Sequence, residues 1–361
     1  MFYAGVDLGG KRSRIHVRES DGKAAYAGWA SDYDDLLKKL KPWGKDLTVA
    51  FEASGEAFFV HDLLVEYVAK VKVAHPRDLR AIAHARIKND RLDAEKLSEL
   101  NRGDLIPEVW VPPAKTRDER ELLLEQVRVR RAIRLEKVKM RALMRRWGRH
   151  VNWDGTWVPK ALESVAGKLP VGAAFVLRGK LAHMEWLTTY EKELKKEIRR
   201  LVPMTDRERW LCTIPGIAPY SARFLSNVLG DVGRFPDARH AASYFGLVPG
   251  ERSSGGGDKR RLGSITKAGN AVGRWLLVQC AWAATRSSKK DPAQRWRKTF
   301  EKLIGRGKSK GRAAVAIANG LARVCYAILR DQRPYETREM KTPLEGKEKP
   351  TTKATPASIA P

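Results

Sequence analysis

Four carboxylate side chains near the N-terminus could bind divalent cations. Asp7 and Glu52 each stand at the end of an otherwise apolar run, where a charged group is costly. Asp90 and Asp93 lie three residues apart, and the start of a helix would place them on one face. Converging carboxylates repel one another unless divalent cations bridge them to a phosphate. The pattern therefore predicts a Mg²⁺ site, with two ions or one shared ion, that performs phosphate chemistry.

A structural alternative exists for the second acidic pair. Asp90 could cap a helix, and Asp93 could be a first-turn acid that the helix dipole favours. Capping does not explain Asp7 and Glu52, because neither residue stands at the start of a predicted helix. These two acids are therefore the stronger indication of a metal site.

A loop in the last third of the chain carries a candidate nucleophile, Ser254, which is followed by three glycines. A serine flanked by glycine permits close approach of a phosphodiester, whose oxygens nearby cations could neutralise. The candidate cations are Arg252, Lys259, Arg260, Arg261 and Lys267. Spacing alone favours an ordinary Ser-Gly linker, and no histidine stands nearby as a base.

Three further residues are candidates for nucleic-acid contact. Gly216 lies in a Pro-Gly bend typical of a helix-hairpin-helix turn, whose amides can approach a phosphate; a plain helical hairpin is the alternative. Asn270 ends the glycine-bearing segment that follows the serine loop. Trp296 stands among lysines and arginines and could stack on bases, although packing in a core is equally compatible with the sequence.

The order of predicted elements indicates how the acids are positioned. Strands are predicted at residues 2–8, 13–19, 24–29, 47–52 and 71–75, and helices at 32–40 and 56–70. Three strands in a meander followed by alternating helices and strands is the order of a ribonuclease-H-like, or RuvC-like, α/β domain. We assign this domain to residues 1–110.

The rest of the chain is predicted to be mainly helical. A long basic helix at 115–149 has a heptad seam, and an antiparallel partner is predicted at 175–201, so residues 111–204 form a coiled-coil stalk or two ordinary packed helices. The seam residues are Leu122, Val129, Ile133, Met140, Leu143 and Trp147, interrupted by Gln126 and Glu136. Residues 205–332 form a mainly α-helical domain that contains the serine, and 333–361 form a polar, disordered tail.

Composition favours a polyanionic partner. The 361-residue chain has a formal charge of +28, and 43% of its residues are hydrophobic, enough for folded domains. Residues 1–100 carry 17 lysines and arginines against 16 acids, whereas residues 251–330 carry 19 against 4. The candidate catalytic acids and the basic region that would bind a polyanion therefore lie in different parts of the chain. Nucleic acid is the polyanion that fits best.

Cysteine usage and hydropathy indicate the compartment. The three cysteines are far apart and have neither zinc-site nor disulfide spacing, which suits a reducing cytoplasm. No run of 18 apolar residues suggests a membrane span or a signal peptide. We expect a cytoplasmic protein at the prokaryotic nucleoid, with no membrane association.

The joint pattern of motifs resembles the Asp-Glu-Asp-Asp (DEDD) insertion-sequence transposases, the group that includes the pilin-gene invertases. The resemblance spans residues 1–330. It is carried by Val-Asp at Asp7, Phe-Glu-Ala-Ser-Gly at Glu52, Lys-Asn-Asp-Arg-Leu-Asp-Ala at Asp90 and Asp93, Ile-Pro-Gly-Ile, Gly-Leu-Val-Pro and Ile-Thr-Lys-Ala-Gly-Asn.

The resemblance implies a transposase that cuts and rejoins DNA. Its four acids would bind magnesium, and Ser254 would be the covalent nucleophile, with Ser253 as the competing position. It further implies a structured guide RNA that pairs with donor and target DNA. A dimer or tetramer would supply the acids from one protomer and the serine from another.

Three other functions fit parts of the sequence. A RuvC-like nuclease or junction resolvase would use the four acids alone, with Ser254 as an ordinary loop residue. A sugar kinase of the actin-like superfamily would share Val-Asp-Leu-Gly-Gly-Lys at the first strand, but it needs a second phosphate loop later in the chain. A non-catalytic nucleic-acid binder would need none of the acids.

Overall fold

The chain folds into two compact units, Met1–Pro113 and Ala114–Pro361. The computed structural model describes residues 1–82, 90–151, 159–251, 262–286 and 294–336. The helical segment and the serine-bearing segment, which the sequence divides at 204/205, lie within one unit.

The first unit is built on a five-stranded mixed sheet. Its strands are β1 (Phe2–Asp7), β2 (Ser13–Glu19), β3 (Ala24–Ala30), β4 (Leu47–Glu52) and β5 (Lys70–Ala74). They lie in the order β3-β2-β1-β4-β5. The first three pair antiparallel, whereas β4 pairs parallel with both β1 and β5. The unit is therefore a mixed α/β fold, compatible with the predicted RuvC-like domain.

Helices cover both faces of this sheet. They are α1 (Tyr33–Leu40), α2 (Ala57–Val65), α3 (Pro76–Ile82) and α4 (Asp90–Arg102), and a 3₁₀ helix spans Lys41–Asp46. On one face, α1 and α2 bury Leu36 and Leu64 against Val6 and Phe51. On the other face, Leu97 of α4 shares an apolar cluster with Ala50. Both faces of the central strands are thus buried beneath helices, and this explains their apolar sequences.

Gly5 lets α4 lie directly on β1. A Cβ atom added to Gly5 would stand 2.2 Å from the carbonyl oxygen of Ala94 and 2.3 Å from the amide nitrogen of Ser98. The side-chain amide of Asn101, further along α4, donates hydrogen bonds to the carbonyls of Ala4 and Thr48, at 3.0 and 2.8 Å. The sheet and the helix are therefore fixed against each other by backbone contact.

We expect Gly5→Ala to destabilise the first unit by about 2 kcal/mol or more, because the helix backbone cannot yield to a methyl group as a flexible side chain could. Hydrogen exchange of β1 and β4 peptides in the full chain would measure the loss as faster exchange. The matched control is Gly55→Ala, since an added Cβ there meets no atom within 4 Å. Equal protection of β1 in the two variants would contradict the close contact.

The second unit begins with two long antiparallel helices. They are α5 (Ala114–Arg146) and α7 (Val171–Leu201), with the short helix α6 (Pro159–Ala166) between them along the chain. Arg130 is ion-paired with Glu191 at 2.9 Å, and Glu136 with Lys180 at 3.5 Å, so residue numbers rise along α5 as they fall along α7. The predicted antiparallel pairing of these two helices is confirmed.

The predicted heptad seam is partly wrong at its ends. Leu123, rather than Leu122, is the fully buried residue near the start of α5. Trp147 is 49% exposed because α5 ends at Arg146. The interrupting residues Gln126 and Glu136 are themselves buried, and Glu136 is satisfied by cations on both helices.

Among the described residues, the remaining elements of the second unit are six further helices, a 3₁₀ helix (Val232–Arg234) and one β-hairpin. They are α8 (Asp206–Cys212), α9 (Pro219–Leu229), α10 (Ala238–Tyr244), β6 (Pro249–Glu251), β7 (Leu262–Ile265), α11 (Ala271–Thr285), α12 (Gln294–Gly305) and α13 (Lys310–Asp331). One apolar cluster joins most of these helices to the adjoining halves of α5 and α7, through residues such as Leu123 and Leu194. Parts of both long helices therefore pack in the apolar core of the C-terminal helices.

Helix α13 is long and apolar enough to cross a membrane by length and composition. Its apolar side chains, among them Ile317, Leu321 and Cys325, lie in that same core cluster. The helix is thus the kind of buried core helix that passes such a test in a folded domain.

Candidate functional site

Asp7 and Glu52 lie side by side at one edge of the sheet. In the parallel pair β1–β4, Val6 is the register partner of Phe51, so the next residues in each strand are Asp7 and Glu52. Side chains alternate along a strand, so both acids point to the face that carries Gly5. This is the face covered by α4. The sheet topology therefore places these two strand ends next to each other, as predicted.

The start of α4 approaches the same edge. Asn101 contacts Ala4 while Ala94 contacts Gly5, so the N-terminus of α4 points toward the Asp7 end of β1. Asp93 lies one turn before Leu97, which packs on the sheet face. Both residues therefore share one side of the helix. Asp90 is the first residue of α4, and its side chain lies outside the described residues.

The described side chains alone do not gather into a metal site. Among the residues whose side chains are described, no group of three or more His, Cys, Asp or Glu is close enough to hold a metal ion. Glu52 is 4.0 Å from the guanidinium of Arg80 on α3. Two carboxylates on adjacent strands, with a third on the facing helix, are the hard oxygen ligands that Mg²⁺ prefers. The four-acid metal site stays a prediction, and so does the capping alternative, since Asp93 is also in the first turn of α4.

The candidate serine lies in the connection of a β-hairpin. Strands β6 and β7 pair antiparallel on either side of residues 252–261. The predicted residues Arg252, Ser253, Ser254, Lys259, Arg260 and Arg261 all lie in that connection and outside the described residues. What the structure does describe is the base of the hairpin, where the Thr266 amide donates to the Val248 carbonyl at 2.9 Å.

Two glycines allow close backbone packing at the base of this hairpin. Gly246 has a φ of +64°, and a Cβ there would stand 2.1 Å from the carbonyl oxygen of Ala268. Gly269 has a φ of +84°, and its Cβ would stand 2.2 Å from the carbonyl oxygen of Tyr244. The motifs Gly-Leu-Val-Pro and Ile-Thr-Lys-Ala-Gly-Asn are therefore two halves of one packed turn. This contact was not predicted, although the two glycines were its signal in the sequence.

Two residues predicted to contact nucleic acid lie at this turn. Lys267 is exposed and has a left-handed φ of +55°, so its side chain leaves the turn toward solvent. The side-chain oxygen of Asn270 accepts a hydrogen bond from the Gly273 amide at 2.7 Å and caps α11. Asn270 thus has a structural role that the prediction did not include.

Two other residues predicted to contact nucleic acid are packed against neighbouring helices. Gly216 has a φ of +89°, and an added Cβ would stand 2.4 Å from the Cys280 carbonyl, so the α8–α9 turn rests on α11. This packing is compatible with both the helix-hairpin-helix and the plain helical-hairpin interpretation. Trp296 is only 4% exposed and lies against Gly320, so in this conformation it is a core side chain and does not stack on bases.

The cysteines are poor candidates for the nucleophile. Burial raises the pKa of Cys280 to about 11, and it also raises the pKa values of Cys325 and Cys212. The thiolate is the reactive form of cysteine, so these thiols are protonated and unreactive near neutral pH. A hydroxyl nucleophile remains the simpler candidate.

Comparison with known proteins shows what this chain is similar to. Residues 208–297 match the family described as "Transposase IS116/IS110/IS902 family". The chain is 26% identical to a transposase of Sinorhizobium fredii, over 92% of this chain and 89% of that protein. It is 29% identical to the transposase for insertion sequence element IS1328 of Yersinia enterocolitica, over 77% of this chain and 82% of that one. It is also 32% identical to the pilin gene-inverting protein of Moraxella lacunata, over 40% and 45% of the two chains.

Over most of its length the chain is therefore similar to proteins named as transposases. The match to the IS116/IS110/IS902 family covers the helices from α8 through the hairpin to the start of α12.

Proposed function

We propose that this enzyme cuts and rejoins the DNA of its mobile element through a serine–phosphodiester intermediate, with Asp7, Glu52, Asp90 and Asp93 as Mg²⁺ ligands. One observation carries the proposal. Asp7 and Glu52 lie at adjacent strand ends on the sheet face that meets the start of α4, in a chain whose relatives are transposases and a gene-inverting protein.

In the proposed reaction the hydroxyl oxygen of Ser254 attacks a backbone phosphorus. A serine–phosphorus bond forms, the bond from phosphorus to the 3′ oxygen breaks, and a DNA 3′-hydroxyl is released. A 3′-hydroxyl from another strand then attacks the phosphoserine and restores the serine, so no backbone bond energy is lost. Mg²⁺ would supply Lewis-acid stabilisation of the charge on the phosphoryl oxygens. The acids of this chain would hold the ion and orient it at the sheet edge.

The partners follow from charge and from the family resemblance. The basic region 251–330 suits the phosphate backbone of donor and target DNA, which releases counterions when lysines and arginines bind it. The structured guide RNA and the dimer or tetramer rest on the resemblance alone. In a multimer, acids of one protomer would work with Ser254 of another.

A metal-only nuclease is the second candidate, because the acidic edge, formed by Asp7 and Glu52 at the ends of β1 and β4, is the better described of the two sites. It would hydrolyse DNA and leave no covalent adduct. The sugar-kinase alternative is less compatible with the fold, since the described residues of the second unit are helical apart from one two-stranded hairpin. That unit offers no second strand-based phosphate loop within those residues.

We expect the full chain, mixed with RNA transcribed from the DNA flanking its reading frame, to cut and rejoin a plasmid that carries those flanks. Cleavage should require Mg²⁺ and cease when EDTA removes it, because the carboxylates alone repel the phosphate. Gel analysis of the plasmid products measures both steps. Uncut DNA under all these conditions, together with ATP turnover on sugars, would overturn the proposal in favour of the kinase.

A further inference from the structure

A row of functional side chains crosses the sheet beside the acidic edge. Asp7 is the register partner of Arg14 on β2, and Arg14 is in turn the partner of Trp29 on β3. Directly paired residues point to the same face of a sheet. Trp29, Arg14 and Asp7 therefore stand in one line, and Glu52 continues it on the other side of Asp7.

Trp29 holds two arginines at this end of the hairpin. The guanidinium carbon of Arg12 lies 4.1 Å from the centre of the Trp29 ring, and that of Arg14 lies 5.2 Å from it. Both distances are within the range of cation–π attraction. The Nε atom of Arg14 is buried and has no hydrogen-bond partner among the described residues. The ring thus pre-organises two cations, one of which has a buried Nε–H without a partner in the described part of the protein.

The next arginine along the same strand face shows the contrast. Arg18 is ion-paired with Glu95 at 2.9 Å and with Glu99 at 3.5 Å, and it donates to the Gly22 carbonyl at 2.7 Å. The guanidinium of Arg18 is thus fully engaged in contacts with α4 and with the β2–β3 turn. Arg14 makes no ion pair among the described residues, although it stands closer to the acidic edge.

We propose that Arg12 and Arg14, held by Trp29, bind the DNA backbone at the phosphate next to the one on which the acidic edge acts. This inference rests on the proposed function, because it assigns Arg12 and Arg14 as DNA-binding residues of that same site. A polyanion that approaches Asp7 and Glu52 is repelled, and the first hundred residues are almost neutral overall. Fixed arginines beside the acids offset that repulsion locally. Their planar forks match phosphate oxygens.

The test compares Arg14→Gln with Lys23→Gln in the full chain. Lys23 lies near the other end of the β2–β3 hairpin and is 83% exposed, so its variant removes the same charge away from the acids. We expect Arg14→Gln to raise the KM for DNA cleavage roughly tenfold, with a smaller change in kcat, and to reduce the salt dependence of binding by about one phosphate contact. Arg14→Lys should recover part of the loss because it keeps the charge. Lys23→Gln should match the wild type.

A modified substrate makes the contact specific. Replacing single backbone phosphates near the cut site by uncharged methylphosphonates should reproduce the loss at one position in the wild type. At that position Arg14→Gln should show no additional loss, because the two changes remove the same contact. Binding measured in EDTA keeps this result separate from cleavage. Loss of cleavage tests the proposed function, whereas the DNA affinity tests the contact between the arginines and the phosphate.

Three outcomes would overturn the inference. Arg14→Gln could behave like Lys23→Gln, its effect could add to that of every methylphosphonate, or it could weaken binding of the flank-derived RNA while leaving DNA binding unchanged. The last result would assign the arginines to RNA instead of DNA.

Discussion

Asp7→Asn is expected to slow DNA strand cleavage by the full chain on the order of a thousandfold, because the loss of one carboxylate weakens a metal site that contributes several kcal/mol to the transition state. Glu52→Gln should have a similar effect, since Glu52 occupies the matching position on the neighbouring strand. Single-turnover cleavage rates at saturating Mg²⁺ measure the change. A partial recovery with Mn²⁺ would further indicate that the lost group is a metal ligand.

Asp34→Asn is the matched control for the acidic edge. Asp34 is an exposed acid in the first turn of α1, and α1 packs on the opposite sheet face from α4. It should cut DNA at the wild-type rate. If Asp7→Asn and Glu52→Gln also cut at that rate while the chain stays folded, the acidic edge has no catalytic role.

Ser254→Ala is expected to abolish the covalent protein–DNA adduct and to lower rejoining by about a thousandfold or more, because no other group replaces a missing nucleophile efficiently. Denaturing gels of labelled DNA, with and without protease, measure the adduct. The Asp7→Asn chain should also form little adduct, since activation of the same phosphate is lost.

Two serines serve as controls for this substitution. Ser253→Ala tests the adjacent residue, and Ser264→Ala tests an exposed serine on β7 across the hairpin. Both variants should form the adduct. If Ser253→Ala abolishes the adduct and Ser254→Ala does not, the nucleophile is Ser253. If the wild type cuts DNA without any adduct, the metal-only nuclease replaces the recombinase.

Much of the first unit could be predicted because its strands are buried on both faces. The strands Ser13–Glu19 and Leu47–Glu52 have the predicted bounds, since apolar runs between turn residues define them. Helix α2 is shorter than predicted and ends at Val65. The amide of Ala69 instead donates to the Leu47 carbonyl, a long-range contact that periodicity along the chain cannot indicate.

The candidate site was predictable where residue type and strand position coincide. A charged residue at the end of an apolar strand is costly, and this marked Asp7 and Glu52 without knowledge of the fold. Trp296 could not be assigned in this way, because a tryptophan among cations has the same sequence signal in a core as on a surface. Arg14 was missed for a related reason. Its importance comes from its register partners Asp7 and Trp29, and register is a property of the folded sheet.

The shared interior of the second unit limits how this protein can be divided or recombined. Since Leu123 and Leu194 belong to the cluster that contains Leu321 and Cys325, removal of the long helices would expose the centre of the C-terminal helices to water. Chimaeras between relatives should therefore exchange whole units at 113/114. A strain applied along α5 or α7 would reach the helices that flank the β6–β7 hairpin, because residues of both long helices pack in that interior.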